Sequence, residues 1–183
     1  MVQIGQKPLA DFSQPLEMMK DCHRRIEHFL EVLQKVAERF GEGDLSEEAR
    51  RALETSLNYF AHAAPRHTAD EEQSLFPRLR SHESVKAHPA MSELQRLESD
   101  HRRADACHQK VEQIGRLWLE TGQIGQQSRS QLRNLLDELV ATYAAHIRLE
   151  EEQVFVLAAQ TLKSNELGAV GNEMRQRRAE KAQ

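Results

Sequence analysis

The stretch His67-Thr-Ala-Asp-Glu71-Glu-Gln-Ser-Leu-Phe-Pro77 recurs 79 residues later as His146-Ile-Arg-Leu-Glu150-Glu-Glu-Gln-Val-Phe-Val156. A histidine, two glutamates and a hydrophobic-Phe pair are in register. A shorter repeat lies upstream of each copy. Asp21-Cys-His23-Arg-Arg recurs after 78 residues as Ser99-Asp-His101-Arg-Arg. Repetition at a fixed interval indicates that one supersecondary unit was used twice, since neither copy buries its apolar face alone. We therefore predict two helical hairpins, each carrying half of a site.

The composition favours an all-α fold. Charged residues make up 30% of the 183 positions and aromatic residues 5%, and glycine (8) and proline (5) are scarce, which is typical of helical proteins. The length suits one domain with its own core. A formal net charge of −4 argues against nucleic-acid binding, which needs a concentrated basic surface.

Four long runs show apolar residues at three- and four-residue steps, the period of an amphipathic helix. The first begins near Pro15 and ends at Gly41-Glu-Gly43, and the second follows a cap at Asp44 or Ser46. The third ends at Thr121-Gly122, and the fourth begins near Ser130. Pro65 interrupts the second run, so we expect a bend just before His67. Short connections predict an antiparallel up-down-up-down four-helix bundle.

The predicted domain organisation has three parts. Residues 1–12 form an N-terminal arm, residues 13–162 the bundle, and residues 163–183 a short additional C-terminal helix and tail. The tail contains the basic run Arg175-Gln-Arg177-Arg178, which we interpret as a solvated face.

Nothing in the sequence predicts a membrane protein or a secreted one. No run of eighteen apolar residues is present, and the N-terminus lacks an apolar core of signal-peptide length. Cys22 and Cys107 are too few for a disulfide scaffold and are expected to remain thiols. We therefore expect a cytoplasmic location.

Polar residues interrupt the apolar face of every predicted helix. His23, His67, His101 and His146 each occupy such a position, and Glu71 and Glu150 follow two of them at i+4. Residues four apart lie on the same helix face. A buried, ionised glutamate is costly unless a cation or a partner balances it.

These six side chains are predicted to bind two iron ions. Neutral imidazole binds iron, zinc, copper and nickel, and a carboxylate can bridge two metals. Each ion would take two histidines and share both glutamates. The sequence leaves open whether His23 shares an ion with His67 or with His146.

Other polar residues near the predicted site receive different roles. Glu27 and Asp105 repeat the i+4 spacing on the first and third helices, and we leave both out of the ligand set as possible outer partners. His108 lies two turns from His101, roughly 10 Å along the axis, which predicts a second-layer or core role. Tyr143 is predicted to pack rather than to approach the ligands. His28, His62, His82 and His88 are predicted to be surface histidines.

The pattern His23, His67-x3-Glu71, His101, His146-x3-Glu150 resembles the hemerythrin-like proteins, the HHE cation-binding family, over residues 15 to 160. The resemblance implies a non-haem di-iron centre in a four-helix bundle, with those six residues as ligands. Oxygen-carrying hemerythrins have a second histidine where this chain has Asp105. The set is therefore nearer to hemerythrin-like proteins implicated in nitric oxide response and iron-cluster repair.

Three functions are consistent with this pattern. The first is a cytoplasmic di-iron protein that binds a small diatomic ligand, O2 or NO, for sensing, scavenging or iron-centre repair. The second is a di-iron oxidoreductase, such as an NO or peroxide reductase or an oxidase, which would need an external redox partner because no flavin, nicotinamide or rubredoxin-type motif is present. The third is a non-catalytic, iron-responsive regulatory bundle.

Overall fold

The structure, a computed structural model, describes residues 10–40 and 44–179. All regular structure in these ranges is helical, which confirms the predicted all-α class. The α-helices are α1 (Pro15–Phe40), α2 (Glu47–His62), α3 (Ala64–Asp70), α4 (Phe76–Ser81), α5 (Pro89–Thr121), α6 (Gln126–Leu149), α7 (Phe155–Thr161) and α8 (Ser164–Ala179). One π-helical turn, Glu71–Leu75, joins α3 to α4, and a second, Glu150–Val154, joins α6 to α7. A 3-10 turn at Glu83–Val85 precedes α5.

The long helices pack into a closed ring. Helix α1 contacts α2 and α6, and α5 contacts the same two helices, so four helical segments surround a shared interior. The result is a helical bundle. Among the described residues, no helix is both long enough and apolar enough to cross a membrane.

The helix ends follow the capping residues in the sequence. Ser46 accepts a hydrogen bond from the Ala49 N–H and caps α2, as Ser and Asp commonly do. Gly122 ends α5 with a φ of 77°, a left-handed conformation that glycine adopts without strain. Helix α6 begins at Gln126, four residues before the predicted Ser130. The predicted end of the first helix at 41–43 lies outside the described residues.

The bend predicted before His67 is a helix break. Helix α2 ends at His62, and Pro65 lies in the first turn of α3. A proline in a first turn costs no hydrogen bond, because that N–H has no intrahelical partner. The break therefore lets α3 start afresh and sets the direction from which His67 enters the bundle.

Two apolar clusters fill the interior on either side of a polar layer. One contains residues of α1, α2, α5 and α6, including Leu53, Leu57 and Trp118. The other contains Leu75 and Phe155 together with residues of α8. The predicted site residues lie between these clusters, where water has little access.

Helix α8 is part of the packed structure. Val170 and Met174 are fully buried, and a Cβ on Gly171 would lie 1.9 Å from the backbone oxygen of Phe12, so only glycine fits there. The described end of the predicted N-terminal arm, residues 10–12, thus reaches α8. Residues 1–9 of that arm and 180–183 of the tail lie outside the described residues.

Candidate metal centre

The six side chains singled out in the sequence converge in the polar layer. Four helices each supply one histidine, and each of the two π-helical turns begins with one of the glutamates. They form two sets of four, each with ligand atoms within 4.8 Å of one another: His23, His67, Glu71 and Glu150; and Glu71, His101, His146 and Glu150. Both glutamates belong to both sets.

Each carboxylate divides its two oxygens between the histidine pairs. Glu71 Oε1 lies 3.3 Å from His67 Nε2 and 3.7 Å from His23 Nε2, whereas its Oε2 lies 3.3 Å from His101 Nε2. Glu150 Oε2 lies 3.1 Å from His23 Nε2, and its Oε1 lies 3.2 Å from His146 Nε2. One oxygen per carboxylate for each pair is the arrangement that a bridging carboxylate requires.

The structure answers the question of which histidines group together. The rings of His23 and His67 have centroids 4.8 Å apart, and those of His101 and His146 lie 4.6 Å apart. His23 is therefore paired with His67, within its own repeat, and not with His146. Each copy of the sequence repeat therefore supplies one complete histidine pair.

The π-helical turns explain the hydrophobic-Phe pairs of the repeat. In each turn a phenylalanine N–H bonds to the carbonyl five residues back, from Phe76 to Glu71 and from Phe155 to Glu150. The wider turn allows the phenylalanine and the apolar residue before it to be buried together. Such turns often occur at functional sites. The sequence analysis did not predict them, although the repeated apolar pair was a signal.

The buried carboxylates lack hydrogen-bond partners. All four oxygens of Glu71 and Glu150 and the Nε2 atom of His23 are buried without such a partner among the described residues, and both glutamates are 0% exposed. Leaving such groups unpaired costs free energy. The donor set, imidazole nitrogens and carboxylate oxygens aimed at shared points, therefore fits bound metal ions.

The pKa values of the histidines in the polar layer show which protons a bound metal cation would replace. Burial lowers the pKa of His23, but its contacts with Glu150 and Glu71 outweigh burial and raise it to about 10. For His101, burial is likewise outweighed by Glu71, and the pKa rises to about 9. Burial lowers the pKa of His67 to about 4. The two carboxylates thus favour the protonated forms of His23 and His101, and metal binding would compete with those protons.

A second set of carboxylates holds the outer nitrogens of the histidines. His101 Nδ1 lies 2.8 Å from Glu72 Oε1, and His23 Nδ1 lies 2.8 Å from Glu151 Oε1. Partners of this kind fix the ring tautomer and strengthen the ligand. Each glutamate comes from the opposite hairpin to its histidine. The sequence analysis assigned neither, although both are the second glutamate of the repeated motif.

The other two histidines are held differently. His146 Nδ1 lies 3.8 Å from Asp100 Oδ2, and His67 Nδ1 has no hydrogen-bond partner among the described residues. The outer layer therefore departs from the twofold pattern of the ligands.

The candidates left out of the ligand set lie outside it. Asp105 is exposed and accepts a hydrogen bond from Gln109, and Glu27 is exposed and pairs with Arg24. His28, His62 and His88 are exposed, as predicted. His82 differs, because it is half-buried and lies 2.8 Å from Glu166 of α8.

The basic run of α8 is not a solvated face. Arg177 and Arg178 lie 2.8 Å and 2.7 Å from the two oxygens of Asp70, a carboxylate that is 0% exposed. Arg177 also donates to Ser74 in the first π-helical turn. The prediction was wrong at these two arginines because the neighbouring buried acid, which recruits them, comes from a distant part of the chain. Asp70 immediately precedes Glu71, so α8 is anchored beside the site.

Comparison with known proteins identifies a family and a relative. A sequence model of the hemerythrin HHE cation binding domain matches residues 14–177, which includes most of α8. A protein of Haemophilus influenzae, described as uncharacterized, is 27% identical over 170 residues, which cover 92% of each chain.

Proposed function

Because the chain belongs to the hemerythrin HHE cation-binding domain family, we propose that it is a cytoplasmic non-haem di-iron protein. Its ligand is a small diatomic molecule, O2 or NO, bound for sensing, scavenging or iron-centre repair. His23, His67, His101 and His146 would hold the ions as terminal ligands, and Glu71 and Glu150 would be shared by both ions. The bundle is an antiparallel up-down-up-down arrangement of four helical segments, a topology supported by the contacts between successive segments.

One observation carries the proposal of two ions. Glu71 and Glu150 each turn one oxygen to His23 or His67 and the other to His101 or His146. One ion would leave half of these buried oxygens unsatisfied, whereas two ions use all four. The division of oxygens therefore supports a pair of metals rather than one.

The choice of iron follows from the donor set. Each half-site combines two imidazoles with two shared carboxylates, and sets of histidine with carboxylate are typical of non-haem iron. Neither buried thiol, Cys22 or Cys107, belongs to the two clusters. A site without sulfur is not one that selects Cu(I) or an iron–sulfur cluster.

The protein residues bind, orient and shield the ions. Iron, when bound, supplies redox-active coordination positions at which a diatomic ligand can bind. Glu72 and Glu151 hold the rings of His101 and His23 through Nδ1 and keep Nε2 turned inward. The apolar clusters on both sides keep bulk water away from the carboxylates. Position 105, where oxygen-carrying hemerythrins have a further histidine, is an aspartate in this chain, and it is exposed to solvent.

A regulatory role is a second candidate, favoured by α8. Arg177 and Arg178 bind Asp70, the residue before the proposed bridge Glu71. A shift of Glu71 on metal loss would be passed to this ion pair and so to α8. Hydrogen exchange of residues 164–179 tests this role, because equal protection with and without iron would contradict it.

An oxidoreductase is the remaining alternative, and it requires an external reductant. Turnover of NO or peroxide with an added electron donor would favour it. Reversible ligand binding without turnover would favour the first proposal.

The deciding experiment counts metal in protein expressed with ample iron. We expect about two irons per chain and optical spectra that change under air and under NO. Fewer than one iron per chain would refute the di-iron proposal.

A pair of variants then tests the bridges. Glu71→Gln removes a ligand shared by both ions, so iron should fall below one per chain. Asp105→Asn is the matched control, because this exposed carboxylate has the same i+4 spacing from His101 and should not affect iron content. Equal iron in both variants would show that Glu71 is only packed.

A further inference from the structure

The two hairpins differ on one side of the site. The intervals of 78 and 79 residues that align the ligand histidines also align His108 with Leu30 and Tyr143 with Ala64. Leu30 and Ala64 are buried and apolar. The second hairpin thus replaces two apolar residues of the first with two hydrogen-bonding side chains.

These two replacements contact each other. His108 Nε2 lies 3.1 Å from the Tyr143 hydroxyl. The His108 ring stacks on Phe60, with centroids 4.2 Å apart, and the Tyr143 ring lies 6.3 Å from the ring of His146. The pair is held between the apolar cluster and a proposed metal ligand, so its hydroxyl group has a defined place beside the site.

Tyr143 lines two neighbouring cavities. A small inner cavity of about 10 Å³, close to the least space that one water molecule needs, is lined by Tyr143 and by all four ligand histidines. A groove of about 290 Å³, lined by His108 and Phe60 among others, opens outside it. The residues that line both are Ala64, Thr68, His101 and Tyr143. These shared residues form a wall between the groove and the inner cavity.

The hydrogen on the His108 ring decides what Tyr143 can do. Burial lowers the pKa of His108 to about 4, so the ring is neutral and carries one N–H. Its Nδ1 is buried and has no partner in the described part of the chain, and orphaned buried donors are rarer than orphaned acceptors. The hydrogen is therefore placed on Nε2, which donates to the Tyr143 oxygen. The Tyr143 hydroxyl, which accepts this hydrogen bond, can then donate its own hydrogen to another acceptor.

We propose that the Tyr143 hydroxyl donates a hydrogen bond to the diatomic ligand in the inner cavity, with His108 as the positioning residue that orients it. This inference rests on the proposed function and adds to it the side from which the ligand binds. The twofold ligand set makes the two ends of the site nearly equivalent. Two hydroxyl side chains, Tyr143 and Thr68, line both cavities, and the Tyr143 hydroxyl is the one that His108 orients. Tyr143 is thereby a specificity-determining residue for ligands that accept a hydrogen bond.

The test uses NO as probe and the iron-loaded full chain. Tyr143→Phe keeps the ring and removes the hydroxyl, so iron content should not change. The NO dissociation rate should rise on the order of threefold to tenfold, the effect of one lost hydrogen bond. The N–O stretching frequency of bound NO should also shift. His108→Leu, which restores the residue of the first hairpin, should change the same two quantities in the same direction.

Tyr59→Phe is the matched control, because the chain has two tyrosines. The Tyr59 hydroxyl donates to the backbone oxygen of Cys22 and lines neither cavity, so this variant should bind NO as the wild type does. An unchanged dissociation rate and stretching frequency in Tyr143→Phe would overturn the inference. A wild type without iron or without NO binding would refute the proposed function as well, and that failure is visible before any variant is made.

Discussion

The outer glutamates Glu72 and Glu151 give the most direct test of how the site holds metal. Each lies 2.8 Å from the Nδ1 of a proposed ligand histidine, His101 or His23. Glu→Gln at either position keeps an oxygen able to accept that N–H but removes the negative charge that makes the imidazole a stronger ligand. Loss of such a partner lowers metal affinity about 10- to 100-fold, or about 1.4 to 2.8 kcal/mol.

The structure predicts which of the two substitutions lowers the affinity for iron more. Glu151 Oε1 also lies 2.5 Å from Arg24 Nη2, so part of its charge is already balanced. No ion pair of Glu72 with a lysine or arginine is found among the described residues. The charge of Glu72 therefore acts more fully on His101. We expect Glu72→Gln to lose close to 100-fold in affinity and Glu151→Gln nearer tenfold.

The assay is competition for iron with a chelator, followed by the optical spectrum of the bound metal. Glu152→Gln is the matched control, since Glu152 adjoins Glu151 in the same π-helical turn but is exposed. It should hold iron as the wild type does. Wild-type affinity in both Glu72→Gln and Glu151→Gln would refute the assigned role, and an equal loss in Glu152→Gln would point to a nonspecific charge effect.

Three further predictions follow from the electrostatics. Asp70→Asn should lower the free energy of unfolding by about 3 kcal/mol in denaturant titrations, because it leaves two arginines without their buried acid; a change below 1 kcal/mol would contradict the ion pair's role. Between pH 6.5 and 4, His108 in the unfolded chain gains a proton, whereas the folded ring, with a pKa of about 4, does not. The stability of the wild type therefore decreases as the pH is lowered through this range. The His108→Leu variant should not show this loss of stability, which reaches up to about 3 kcal/mol. Parallel curves of unfolding free energy against pH for the wild type and the variant would contradict the effect of burial on His108. Metal binding at pH 7 should release protons from His23 and His101, whose pKa values are raised to about 10 and 9; calorimetry in two buffers of different ionisation enthalpy measures this, and zero release would refute it.

Local spacing in the sequence was enough to find the six candidate ligands. His67 with Glu71 and His146 with Glu150 are four residues apart, and the helix period alone puts such residues on one face. The apolar stripes and the signals Ser46 and Gly122 predicted where helices begin and end for the same reason. Pro65 predicted only a bend within one helix, and the structure has a break there. These features depend on neighbours within one or two turns of the chain.

The outer layer could not be found by the same reasoning. Glu72 follows Glu71, yet its partner His101 is on another helix and in the other hairpin. The contact between His108 and Tyr143 likewise joins α5 to α6. Sequence spacing carries no information about which side chains meet across helices, because that depends on how the helices are rotated and offset in the packed bundle.

The sequence by itself determined the all-α class, the repeated segment and the identity of the candidate ligands, because each follows from periodicity and from the cost of burying charge. Only the tertiary structure decided that His23 pairs with His67, and that each glutamate turns one oxygen to either pair. It also decided that Arg177 and Arg178 bind Asp70 instead of water. A charged side chain is solvated or paired according to what packs against it, and that neighbour is set by the fold.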